Sequence, residues 1–215
     1  LDEIQALLGR LAADGRRVLA GFDFPNAYPK GFAKRAGFRG PAWRAVWDGL
    51  ARLIEDGADN ANNRFEVAAG LNRRISGAAF PFWGCPKSRT GPYLSATKVD
   101  RYGPENLAER RLCEAYVATT QPCWKLAYTG SVGSQALMGI PVARALRDHP
   151  LLAEATRVWP FETGLAGADE RARIVLAEVY PSLAPLDLGR GEVKDQRQVT
   201  AAARFFAERD DQGLL

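Results

Sequence analysis

Three acidic residues each stand where an apolar run breaks off: Asp23 in VLAGFDFP, Glu162 in RVWPFETG and Glu178 in IVLAEVYPS. Carboxylates at the ends of buried strands are what a divalent-cation site for phosphate chemistry needs, because hard cations take oxygen ligands held on rigid supports. A fourth acid, Asp195, opens the last helical stretch beside Lys194, where it either complements the helix dipole or reaches a neighbouring cation site. Each of the other three also has a plain structural reading. Asp23 caps the turn before Pro25, Glu162 ends a strand, and Glu178 pairs with one of the many arginines, since a buried carboxylate without a partner is costly.

Other chemical residue sets are sparse. The single histidine, His149, precedes Pro150 and reads as a helix-end cap. Cys85, Cys113 and Cys123 form no Cys-x-x-Cys pair, so a zinc cluster is not expected, and Cys85 has no base nearby in sequence to make it a nucleophile. The segment WKLAYTGSVGSQ places Lys125, Thr129, Ser131 and Ser134 among glycines before a helix. Such a segment exposes backbone N–H groups to a phosphate or packs a helix start tightly, and it lacks the Gly-Lys-Ser/Thr of a Walker A loop.

The elements that must position these residues follow from periodicity. Residues 1–14 carry a helical apolar stripe ended by Gly15, and Val18 to Phe24 is a strand stopped by Pro25. Pro41 opens a helix with Trp43, Val46, Trp47, Leu50, Leu53 and Ile54 on one face. Asn63 and Glu66 have capping-box spacing for the next helix. Residues 77–103 are too rich in Gly and Pro for regular structure, and so long a loop in a compact domain usually has a function. Helices are predicted over 104–117 and 133–147, strands over 156–161 and 174–180, and a last helix over 194–208. The second of those strands is nearly all apolar and belongs at the centre of a sheet covered on both faces.

The 215 residues, 47% hydrophobic and 25% charged, suit one soluble α/β domain with a helical, loop-rich insertion between its strands. A balance of 29 Lys and Arg against 25 Asp and Glu permits a nucleic-acid partner without demanding one. No apolar run reaches the length of a membrane span, and the three cysteines suit a reducing compartment, so no membrane partner and a cytoplasmic location are expected.

The pieces GFDFPNAYPKGFA, NNRFEVAAGLN, PFWGCP, WKLAYTGSVGSQALMG, VWPFETG, AEVYPSL and KDQRQV run from residue 21 to 199. In them the chain resembles the bacterial family of uncharacterised proteins predicted to be ribonuclease H-like nucleases. The longer pieces resemble its subgroup labelled molybdopterin guanine dinucleotide synthesis protein. The resemblance implies a ribonuclease H-like sheet flanked by helices, whose acids hold Mg²⁺ or Mn²⁺. It matches Asp23 to the acid of an Asp-x-Pro strand, Glu178 to that of a Glu-x-Tyr-Pro strand and Asp195 to the acid opening the last helix, while Glu162 belongs to the subgroup alone. Folds of this kind open with a β-hairpin bearing a leading aspartate. A helix stands before Asp23 instead, so the chain is expected to be the C-terminal part of a longer protein.

The leading functional expectation is a metal-dependent phosphodiester hydrolase acting on nucleic acid or nucleotide. Asp23, Glu178 and Asp195 would be ligands of two ions, with Glu162 a ligand or general base. The alternative is a non-hydrolytic nucleotide or pterin-nucleotide binding protein of molybdenum cofactor maturation. That protein would use Lys125, Thr129, Ser131 and Ser134 for phosphate, and Trp83, Tyr93, Trp124 and Tyr128 for stacking. A structural partner protein with ion-paired acids is the third.

Overall fold

The structure is a computed structural model, which describes residues 1–59, 61–117, 119–165, 171–183 and 193–213. It is a mixed α/β chain with a small three-stranded parallel sheet and flanking helices. The sequence reads as one domain; the structure divides into two compact units. A helical unit comprises Leu1–Gln5 and Phe24–Ala153, and a sheet unit comprises Ala6–Asp23 and Glu154–Leu215.

In the sheet unit, β1 (Val18–Phe22), β2 (Thr156–Trp159) and β3 (Ile174–Glu178) lie in the order β1-β3-β2. The apolar run of β3 takes the central place predicted for it, with Ile174, Leu176 and Ala177 buried. Both pairings are parallel, and Phe22 stands opposite Glu178. Each outer strand is shorter than its apolar run, because Pro25 and Pro160 follow closely and proline cannot extend a ladder. Gly21 permits a close approach here: a Cβ at that position would lie 2.8 Å from a Val179 methyl. Helix α1 (Asp2–Ala13) ends at Gly15, whose φ of 75° is a left-handed conformation that favours glycine. The last helix, α7 (Lys194–Asp211), meets the start of β1 through an Arg17–Asp210 pair of 3.0 Å, too exposed to contribute much.

The helical unit is built on α3 (Ala42–Leu53) packed against α6 (Val132–Arg147). The α3 face predicted from spacing is core: Val46, Trp47 and Leu50 are buried, and the Trp47 indole N–H donates to the Asn26 carbonyl at 2.8 Å. Along the rim, Arg44 and Arg144 bracket Asp48 and Asp148 in a four-residue network. Burial pushes the Asp48 carboxyl up, but the hydrogen bond from Arg144 and the charge of Arg44 outweigh this and leave it below the usual range.

Short α2 (Phe32–Arg35) and α4 (Arg64–Ser76) complete the frame that holds loop 77–103. Its only helical turn is a 3₁₀ helix over Lys87–Arg89, yet Phe80, Phe82, Cys85 and Leu94 are buried. Phe82 joins Tyr28, Phe32 and Trp124 in an aromatic cluster with centroid separations from 4.3 to 6.0 Å. Asn72, fully buried on α4, fastens the loop. Its amide N–H₂ donates to the Phe82 and Tyr93 carbonyls, and its Oδ1 accepts the Phe82 N–H, all at 2.8 Å.

Two sequence expectations are corrected. Residues 104–117 give only one helical turn, α5 (Leu112–Ala115), because the preceding carbonyl of Ala108 accepts the Trp124 indole N–H and Leu107 is drawn into the core. The capping box at Asn63 does not form either. The Asn63 side chain turns back to the Glu55 N–H and the Leu53 carbonyl, and Glu66 pairs with Arg89 instead.

Substituting Asn72→Ala leaves one buried N–H and two carbonyls without their partner. We expect a loss of roughly 2–4 kcal/mol in denaturant unfolding, with loop 77–103 losing hydrogen-exchange protection first.

Candidate functional site

The sheet unit brings two of the predicted acids together. Glu178 is the last residue of β3, and Asp23 follows Phe22, its partner in the ladder. The Val179 N–H donates to the Phe22 carbonyl at 2.9 Å, the bond that closes the last pair of the ladder and holds the two strand ends side by side. Asp23 and Glu178 thus stand at the carboxyl ends of adjacent parallel strands, where open α/β sheets place their ligands. Burial, and then the negative charge of Glu178, hold the Asp23 carboxyl above its ordinary range. Glu178 itself is half-buried, and Asp23 retains solvent access.

Neither Glu162 nor Asp195 joins this pair in a cation-holding group among the described residues. The Glu162 carboxylate accepts the Val158 N–H at 2.8 Å, and its own N–H donates to the Val158 carbonyl at 2.9 Å. The Ala155 carbonyl accepts the Ile174 N–H, so by alternation Val158 directs its N–H away from β3, to the outer edge of β2. Glu162 therefore covers a free strand edge, a common way of protecting such an edge from other chains. Asp195 is exposed in the first turn of α7, where it complements the helix dipole. Among the described residues, no three His, Cys, Asp or Glu side chains form a group able to hold a metal ion.

The glycine-rich segment before α6 belongs to the helical unit, and its donors are engaged by its own chain. Lys125 Nζ donates to the Thr129 carbonyl at 2.6 Å and lies 5.6 Å from the Trp83 ring centroid. The Gly133 N–H donates to the Lys125 carbonyl, the Ser134 N–H to the Ser131 carbonyl, and the Ser134 hydroxyl to the Leu126 carbonyl. A Cβ at Gly133 would meet the Lys125 carbonyl oxygen at 2.7 Å, so tight packing accounts for that glycine. Ser131 holds the N-cap position without a side-chain bond. Of the four aromatics expected to stack on a base, Trp124 is fully buried in the core and has no face to offer, whereas Tyr128 is exposed.

The remaining chemical candidates are structural. His149 lies past the end of α6, and its Nδ1 accepts the Leu151 N–H beyond the helix, so the expected cap on the last helix carbonyls is replaced by a bond within the turn that follows. Cys85 is buried, and burial pushes its thiol up, away from nucleophilic character. Two features escaped the sequence analysis. The Arg44–Asp48 pair has the i, i+4 spacing that could have signalled it, but its coupling to Arg144 and Asp148 depends on the packing of α3 on α6. The buried role of Asn72 left no sequence signal.

No family model, no curated protein and no solved structure matches the chain. Among the described residues, no helix is long and apolar enough to cross a membrane.

The repulsion at the acidic pair has a sign that can be measured. A carboxyl whose folded pKa is raised destabilises the fold increasingly as pH rises from its ordinary value of 3.8 through the raised value. Asp23→Asn removes that charge. In metal-free buffer at neutral pH it should raise thermal stability by no more than about 1 kcal/mol, given the solvent access of the group, and the gain should vanish in acid. A destabilised Asp23→Asn protein would show that Asp23 is a structural partner instead.

Proposed function

We propose that the chain is a divalent-cation-dependent phosphodiester hydrolase on a ribonuclease H-like sheet, acting on nucleic acid or nucleotide from the cytoplasm. One observation carries this: Asp23 and Glu178 at the ends of neighbouring parallel strands, with Asp23 held above its usual range by burial and by Glu178. Two carboxylates so placed fit a hard cation, because Mg²⁺ is commonly held by one or two carboxylates while water and substrate phosphate complete its octahedron. Bound Mg²⁺ or Mn²⁺ would supply Lewis acidity toward a phosphoryl oxygen and a more acidic water.

Asp23 and Glu178 are the residues that would hold the ion. Their mutual repulsion, costly in the bare protein, favours uptake of a positive charge. Solvent access at Asp23 leaves room for a substrate phosphate beside the pair. Glu162 enters the proposal only as the residue whose substitution is compared with theirs, and Asp195 has no part in it. A nucleotide-binding protein without hydrolysis is the less favoured reading, since Lys125 and Ser134 already donate to the chain and Trp124 is buried.

Titration calorimetry with Mn²⁺ tests the pair. Both Glu178→Gln and Asp23→Asn should weaken uptake by at least about tenfold, while Glu162→Gln, at the far strand edge, should change it by less than about threefold. Cleavage of a generic phosphodiester should fall with the first two variants only. Equal uptake by wild type and Glu178→Gln would remove the cation site and the hydrolase with it.

A further inference from the structure

Between Asp23 and Asp48 the chain carries five cations, Lys30, Lys34, Arg35, Arg39 and Arg44, and no acid. Two are committed within the helical unit. Arg44 pairs with Asp48 and Asp148, and Arg35 donates to the Asn106 side-chain oxygen at 3.0 Å and the Glu105 carbonyl at 3.1 Å. Lys30, Lys34 and Arg39 are exposed, and their side chains make no hydrogen bond or ion pair among the described residues. The helical unit also holds 18 Lys and Arg against 12 Asp and Glu, while the sheet unit holds 11 against 13, so the positive excess of the chain lies in the helical unit.

The backbone gathers Lys34 and Arg39, with Lys30 two residues before α2. Buried Phe32 and Ala36 anchor α2, and Arg74, from the end of α4, donates to the Ala36 carbonyl at 3.0 Å and brings a further guanidinium to the same turn. Gly37 and Gly40, with φ of 74° and 112°, lead the chain from α2 into α3. The result is a concavity of ≈ 480 Å³ whose lining includes Lys34, Gly37, Arg39, Gly40 and Ala42. Ala42 is the first residue of α3, and Pro41 before it provides no side-chain cap, so the positive end of a 12-residue helix adds to the field there.

We propose that this surface binds the phosphate backbone of a nucleic acid without reading its sequence. Flexible lysines with no protein partner act as point charges toward phosphate, the Arg39 guanidinium offers it a planar fork of donors, and glycines let a backbone come close. An anionic membrane fits less well, because among the described residues no exposed large apolar side chain lies between Leu19 and Leu112 to enter a bilayer. The surface goes beyond the hydrolase reading and does not rest on it, since it shares no residue with the acidic pair.

Fluorescence anisotropy with a labelled DNA duplex in EDTA tests the surface apart from any cation chemistry. With three phosphates neutralised by Lys30, Lys34 and Arg39, affinity should fall about 40-fold between about 50 and 200 mM KCl. The triple variant Lys30→Gln, Lys34→Gln, Arg39→Gln should bind at least about tenfold more weakly at the lower salt and lose most of that slope. A control removing as much charge elsewhere, Arg16→Gln, Arg52→Gln, Lys87→Gln, should stay within about threefold of wild type. Matching thermal melts would establish that all three proteins are folded. The proposal is overturned if wild type shows no salt-dependent binding, if the control weakens as much as the patch variant, or if patch-dependent binding occurs on phosphatidylserine vesicles and not on DNA.

Discussion

The parallel ladder between β1 and β3 is the constraint on which the acidic pair depends. Phe22 opposes Glu178, and the bond from the Val179 N–H to the Phe22 carbonyl closes this last pair of the ladder. A slip of one residue would turn every β3 side chain to the other face of the sheet, exposing Ile174 and Leu176 and carrying Glu178 away from Asp23. Burial of the apolar β3 residues thereby fixes the place of a polar one. The energy that sets the site comes from the hydrophobic residues before it, and the carboxylates are carried against their own repulsion.

The helical unit solves a different problem. Much of it is chain without regular structure, whose backbone groups must still find partners when buried. Side chains supply them: Asn72 for Phe82 and Tyr93, the Trp47 indole for Asn26, the Trp124 indole for Ala108 and the Tyr102 hydroxyl for Pro81. Large aromatic rings close the space between, so the loop behaves as core. Similar logic explains the segment before α6, where hydroxyl and amide donors stabilise a tight helix start.

Patterns confined to one element were legible in the sequence. The stripe of α3, the apolar run of β3 and the stop at Gly15 each follow from a local period or from a single residue's conformational range. The strand-end positions of Asp23 and Glu178 were legible for the same reason, since proline or an acid interrupts an apolar run. What failed was local chemistry overridden by distant partners. Asn63 has the spacing of a cap and instead bonds residues before its helix, and residues 104–111 have helical composition but are bound by Trp124 and buried at Leu107. Glu162 could not be placed from sequence, because whether a strand-end acid faces a neighbouring strand or the outer edge depends on strand order.

Gly21 gives the sheet an evolutionary signature. Its missing side chain is what lets Val179 sit against β1, directly after Glu178. Any methyl gained at position 21 must be matched by volume lost at 179, or the strand ends carrying the two carboxylates separate. In descendants that keep the acids adjacent, the two positions should therefore drift as a coupled pair, trading size across the ladder. Lineages that have abandoned the acids would be free to lose that correlation.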